Sequence, residues 1–161
     1  MCLKRDLDVT ALEREGRPAE AHQLLTKLAA EGDAMALIEL GSRHITTTGR
    51  WPPVLPIEPN ADVAASLIEK GRVALESLAA QGDGEAMRML AYLFMGKLCA
   101  YTRDEAKAEQ CLLDAFAAGC HFAANDLHMF YVDKDESKAR FYYDEASRLG
   151  CKAVYYKPFE A

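Results

Sequence analysis

Apolar residues recur along this chain at helical spacing. In PAEAHQLLTKLAAEG, Ala21, Leu24, Leu25 and Leu28 fall at i, i+3, i+4 and i+7. Pro18 suits a first helical turn there, and Gly32 marks the end. A longer helix is predicted after Asn60, a good capping residue. Its stripe of Ala64, Leu67, Ile68, Gly71, Ala74, Leu75 and Leu78 runs to Gly82. Thr102 and Glu105 have capping-box spacing and open a helix through Leu112, Leu113 and Phe116 to Gly119. A fourth helix starts near Asp135 and stops at Gly150.

The pattern breaks at RWPPVLPIEPN, residues 50–60, which holds four of the six prolines and the only tryptophan. Elsewhere the four helices align on their terminal glycines, Gly32, Gly82, Gly119 and Gly150. Eleven residues before them stand Ala21, Gly71, Ala108 and Ala139, all small. Four residues before them stand Leu28, Leu78, Ala115 and Ala146. Four and eight residues after the first three glycines come Ala36, Ala86 and Ala123, then Leu40, Leu90 and Leu127. Small residues in matching places let helix axes approach closely, and the leucines fill the seam. The glycine turns the chain from one helix into the next. The spacings between these glycines, 50, 37 and 31 residues, sit loosely within the range of helical repeats. The expectation is an all-α chain, a short stack of about three antiparallel helix pairs.

SKARFYYDEASRLG and GDAMALIELG carry this pattern most clearly, through Ala139, Tyr142, Tyr143, Ala146 and Gly150, and through Gly32, Ala36, Leu40 and Gly41. With these residues in place the chain resembles the Sel-1-like repeat branch of the tetratricopeptide-like solenoids over residues 18–154. The resemblance implies a right-handed α-solenoid and protein binding. It departs at the place of Gly41, which becomes Ala91 and then His128, so the third unit is expected to pack differently. Some secreted members of the family carry a disulfide in each repeat, but Cys111 and Cys120 do not stand at those places. Superposed repeats put the proline stretch in the loop of the first pair, as an insertion over 49–60. Residues 151–161, with Tyr155, Tyr156 and Phe159, are expected to cap the last repeat.

Composition narrows the function. The chain has 161 residues and a net charge of −6, suited to a single folded domain over 1–161. Basic and acidic residues number 7 and 8 in 1–50, 4 and 6 in 51–100, and 8 and 11 in 101–161. With no basic stripe, nucleic acid is not an expected partner. The start MCLKRDLDVT lacks the apolar run of a secretory signal, and no segment is long and apolar enough to span a bilayer. Five cysteines, an odd number with no C-x-x-C pair, suit a reducing compartment. The expected location is the cytoplasm, with no membrane partner.

Signals for chemistry are few. His121 and His128 lie seven apart on one helical face near Cys120 and Asp126, but not at the spacing of a zinc motif. The pairs Asp135 with Glu136 and Asp144 with Glu145 are neighbours that point apart on a helix. No phosphate loop or serine elbow occurs. The expectation is therefore a non-enzyme without metal or cofactor, and a surface for another protein.

Two regions can supply that surface. One is the proline arm, where Trp51, Val54, Leu55 and Ile57 either touch a partner or fold back over the first repeat. Its P-V-L-P and P-I-E-P also suit a proline-recognition domain. The other is the set of outward positions on the first helices of each pair, counted from the repeat glycines. The residues singled out there are Glu39, Arg43, Glu85, Met89, Tyr92, Asp126 and Met129, a sticky acidic mixture. Three functions are carried forward. The first is an immunity-type inhibitor that blocks a cognate toxin or effector, in which negative charge complements a basic enzyme. The second is an adaptor for signalling or assembly, and the third and weakest is a hydrolase.

Overall fold

The computed structural model describes residues 2–46 and 54–151, with side chains from residue 8 onward. All regular structure among them is helical: α1 (Cys2–Arg14), α2 (Pro18–Ala30), α3 (Ala34–Ile45), α4 (Ala61–Ala80), α5 (Gly84–Phe94), α6 (Glu105–Ala117), α7 (His121–Tyr131) and α8 (Glu136–Arg148). The fold is all-α. No helix among the described residues is long and apolar enough to cross a membrane.

The repeat glycines act as predicted. Gly32 has φ +83°, a left-handed conformation that most side chains resist. It lets the Asp33 N–H donate to the carbonyl of Leu28, 3.0 Å away, closing the end of α2. The Asp33 side chain then accepts from the Ala36 N–H and caps α3. One dipeptide thus ends a helix and begins the next. The same backbone bond follows Gly82, Gly119 and Gly150, running from Asp83 to Leu78, Cys120 to Ala115 and Cys151 to Ala146. The acceptors are the residues four places before each glycine, the same set that aligns in the sequence. Asp83 caps α5 with bonds from Glu85 and Ala86, whereas Cys120 gives α7 no side-chain cap.

Two details differ from expectation. The cap of α6 is Asp104, which accepts from Lys107, and not Thr102. The Asp104 N–H is held by the carbonyl of Phe94, which fixes where the link from α5 can turn into a helix. The chain also has α1, ahead of the first expected helix. Its charged and apolar residues are interleaved, so no stripe stands out. Its described buried residues are Val9 and Glu13, and Gly16 ends it with an Arg17 to Leu12 bond of the kind found after Gly32. Asn60 does cap α4, accepting from Val63.

The chain divides into two compact units, Met1–Ser77 with Gly96–Tyr101, and Leu78–Met95 with Thr102–Ala161. In the first, Val9, Ala21, Leu25, Ala29, Leu37 and Leu40 form a core among α1, α2 and α3. Against the other side of α3 lies α4, with Ala64, Ile68, Gly71 and Leu75 buried. This crossing is tight. A Cβ added at Gly71 would stand 2.6 Å from Cγ1 of Ile38 and 2.8 Å from the carbonyl oxygen of Ala34. One added at Gly41 would stand 2.8 Å from Cγ1 of Ile68 and 3.0 Å from the carbonyl oxygen of Ala64. The two glycines are reciprocal, each seated against the partner helix.

In the second unit, Ala91, Leu112, Leu127, Tyr131 and Ala139 form the core. His128, at the place of Gly41, is fully buried. Its ring packs edge-on to Tyr143 at 5.3 Å, with Nδ1 3.0 Å from the carbonyl oxygen of Ala139. A polar ring bonded to the backbone occupies the place where the first unit brings glycine against helix. Cys99, Cys111, Cys120 and Cys151 are free thiols.

Gly71→Ala is expected to cost about 1–3 kcal/mol, the range for overpacking a core, read as a lowered urea midpoint. Adding Ile38→Ala should not restore it, because the Ala34 carbonyl still blocks the new methyl.

Candidate protein-binding surfaces

Three of the predicted surface residues come together in the second unit. Glu85 and Tyr92 sit on α5 and Asp126 on α7, and Arg88 joins them. Its Nε donates to Oδ2 of Asp126, Nη1 to Oε1 of Glu85 at 3.0 Å, and Nη2 to the Tyr92 hydroxyl at 2.8 Å. The Tyr92 hydroxyl donates in turn to Oδ1 of Asp126 at 2.8 Å. The guanidinium lies 4.9 Å from the Tyr92 ring centre and 5.3 Å from that of Phe122, within cation–π range.

This network is mostly withdrawn from water, and its protonation follows. Burial, then the Asp126 carboxylate, pushes the Tyr92 phenol up to about 12. Burial alone would lower Arg88, but the bond and charge of Asp126 outweigh it and leave the guanidinium raised. The Cys120 thiol reaches Oε2 of Glu85 at 3.5 Å and is pushed up, mainly by burial. A thiol held in that form is a poor nucleophile at neutral pH. Arg88 was not singled out in the sequence. Its spacing from Glu85 and Tyr92, three and four residues on one helix, was the available signal. The sequence placed Asp126 among the outward positions, but nothing in it indicated the bond from Arg88, 38 residues away.

In the first unit, Glu39 and Arg43 also meet, but not as an open surface. Arg43 is 1% exposed and donates through Nε to Glu39 at 2.8 Å and through Nη2 to Glu13 at 2.6 Å. Arg43 is therefore a buried tie between α1 and α3, a correction to its surface assignment. α1 lay outside the predicted elements, so the partner that draws Arg43 inward was not in view. Met89 is corrected likewise. At 8% exposure it packs on the inner face of α5 with Ala86, Leu90 and Leu93. Met129 is 46% exposed, as expected.

Of the arm, residues 54–60 are irregular, with Val54, Leu55 and Ile57 half-buried. The Asn60 N–H donates to the carbonyl of His44 at 2.9 Å, which pins the end of the segment to α3. Trp51 lies outside the described residues, as does most of the C-terminal cap over 151–161. Among the described residues no group of three or more His, Cys, Asp or Glu is placed to hold a metal ion. His121 is exposed against Phe122, while His128 is enclosed as described above.

The first unit also carries a groove of about 610 Å³ that the sequence did not indicate. Leu37 and Leu40 of α3 form its base. One wall is α2, at Thr26, Ala29 and Ala30; the other is α4, at Leu67, Val73 and Ala74. On α4, Leu67, Lys70, Ala74 and Ser77 follow helical spacing beside the buried stripe of Ala64, Ile68, Gly71 and Leu75. One helix thus presents two faces, one to α3 and one to the groove.

No protein-family model, curated protein or solved structure matches the chain.

Arg88→Met is expected to cost about 3 kcal/mol, as breaking a buried charge pair does, since Asp126 and Glu85 stay behind without their cation. Equilibrium denaturation measures it, and a loss under about 0.5 kcal/mol, the range of ordinary surface changes, would contradict the network. Tyr92 supplies a pH test. The folded chain keeps the phenol proton to about 12, while an unfolded chain releases it near 10.0. The folded state binds more protons in that window, so stability should fall as pH rises through it. Tyr92→Phe should remove that part of the alkaline loss, together with one phenolate step near pH 12 in an ultraviolet titration.

Proposed function

We propose that this chain is a non-catalytic protein-binding module, built as a short right-handed solenoid of Sel-1-like helix pairs, that acts as an immunity-type inhibitor of a cognate toxin or effector. The observation that carries the binding reading is the groove of the first unit. Its walls and base are largely apolar, and Val73 on its wall is 51% exposed. Apolar surface in a concave site gains free energy when a partner covers it. The solenoid reading draws on the repeated joint, in which a left-handed glycine and the bond to a residue five places back recur in the same register. The inhibitor reading draws on the net charge of −6, which favours encounter with a basic partner. In this reading the module works in the cytoplasm without cofactor, metal, nucleic acid or membrane.

An adaptor for signalling or assembly is the second reading. It is favoured by two separate apolar surfaces, the groove in one unit and the exposed Met129 and Phe141 in the other. A hydrolase would need a nucleophile beside a base, and the raised Cys120 thiol does not supply one.

Co-purification of the wild-type chain from its native host, followed by an activity assay on whatever is captured, separates these readings. One stoichiometric partner whose activity is lost at a 1:1 ratio is expected for an inhibitor. Several partners that keep their activities would instead favour an adaptor, and the absence of any partner would count against both.

A further inference from the structure

The groove of the first unit has a chemistry that narrows its occupant. Its walls are helices, whose backbone donors and acceptors are already used within each helix. An extended segment laid there would leave its own N–H and C=O groups without partners in an apolar trough, at a cost for each. A helix satisfies its own backbone and can offer an apolar face, so helix-in-groove docking fits these walls. The lining of α4 runs from Leu67 to Ser77. Ten residues of helix rise about 15 Å, which suits roughly three turns of a partner helix.

Charge selects further. Of the residues lining the groove, Lys70 is the charged one, set between Leu67 and Val73. The nearby carboxylates of α4 are engaged elsewhere: Arg72 holds Glu69 at 2.5 Å and also binds Glu76. Lys70 is exposed and makes no ion pair with the described residues. An ammonium on the wall of an apolar trough favours a carboxylate on the segment that fills it, and disfavours a second cation. The local preference is thus opposite to that of the chain as a whole, whose net charge of −6 would attract a basic surface.

We infer that this groove receives an amphipathic helix of a partner protein, about three turns long, with an acidic side chain set beside its apolar stripe to meet Lys70. The inference rests on the protein-binding reading above and names the element by which a partner is held.

The test uses the full chain and two designed 16-residue helical peptides. Both carry leucines at i, i+3, i+4 and i+7; one has Glu and the other Lys flanking the stripe. Binding is measured by calorimetry at low salt. The Glu peptide is expected to bind at least fivefold more tightly than the Lys peptide, with the difference shrinking in 0.5 M salt. Lys70→Glu should reverse the preference, and Val73→Asp should weaken both peptides at least tenfold. Both positions are exposed, and unchanged thermal melting of each variant establishes that it folds. Equal affinity for the two peptides, binding indifferent to Val73→Asp, or no binding at millimolar peptide would overturn the inference. If the peptides fail while a stoichiometric partner is still captured from the host, binding belongs to another face and the general reading stands. Absence of a captured partner would instead remove the general reading, whatever the peptides do.

Discussion

A helix can end in many ways, but here its end must also start the next helix within three residues, and that requirement shapes the chain. At Gly32 a left-handed backbone lets the Asp33 N–H reach back to Leu28 while the Asp33 carboxylate reaches forward to Ala36. The two bonds leave little freedom in the angle between α2 and α3. Asp83 makes the same pair of bonds after Gly82, its N–H donating to Leu78 and its carboxylate accepting from Glu85 and Ala86. With the exit direction set at each joint, the side chains four residues before and after the glycine are brought to the same seam. That is why small residues and leucines recur there.

How closely the helices then pack depends on what occupies the seam. Gly41 and Gly71 let α3 and α4 meet backbone to side chain, with no room for a methyl group on either. In the second unit, Ala91 and Ala108 are fully buried at the corresponding places, and His128 bonds to the carbonyl of Ala139 at the next. The series runs from glycine to alanine to a hydrogen-bonded imidazole. Each is a different solution to bringing two helices together without leaving a void or an unmet polar group.

The polar clusters show the same economy. Arg43 is enclosed between Glu13 and Glu39 and ties α1 to α3, while Arg88 gathers Glu85, Tyr92 and Asp126 and ties α5 to α7. Each arginine is a multivalent donor whose planar fork meets carboxylates from two helices. Residues that look like surface charge in a linear reading are in this way drawn into structural roles. In the first unit the groove between α2 and α4 is lined mostly by apolar residues.

Local rules in the sequence were enough for the helical class, for the four helix-ending glycines and for Asn60 as a cap, because each depends on residues within about five positions of one another. They placed Glu85, Tyr92 and Asp126 among the outward positions counted from the repeat glycines, but not the arginine that joins them. Helix α1 escaped notice because its interleaved charges hide its inner face, and that face is defined by Arg43, 30 residues further on. Arg43 and Met89, surface positions by their spacing from the glycines, are buried. The groove could not be read either, since Leu37, Leu67 and Val73 belong to different helices and acquire a common hollow only when α2, α3 and α4 are assembled. Spacing along a chain determines which face of a helix a residue joins; what that face meets is decided by packing between helices distant in sequence.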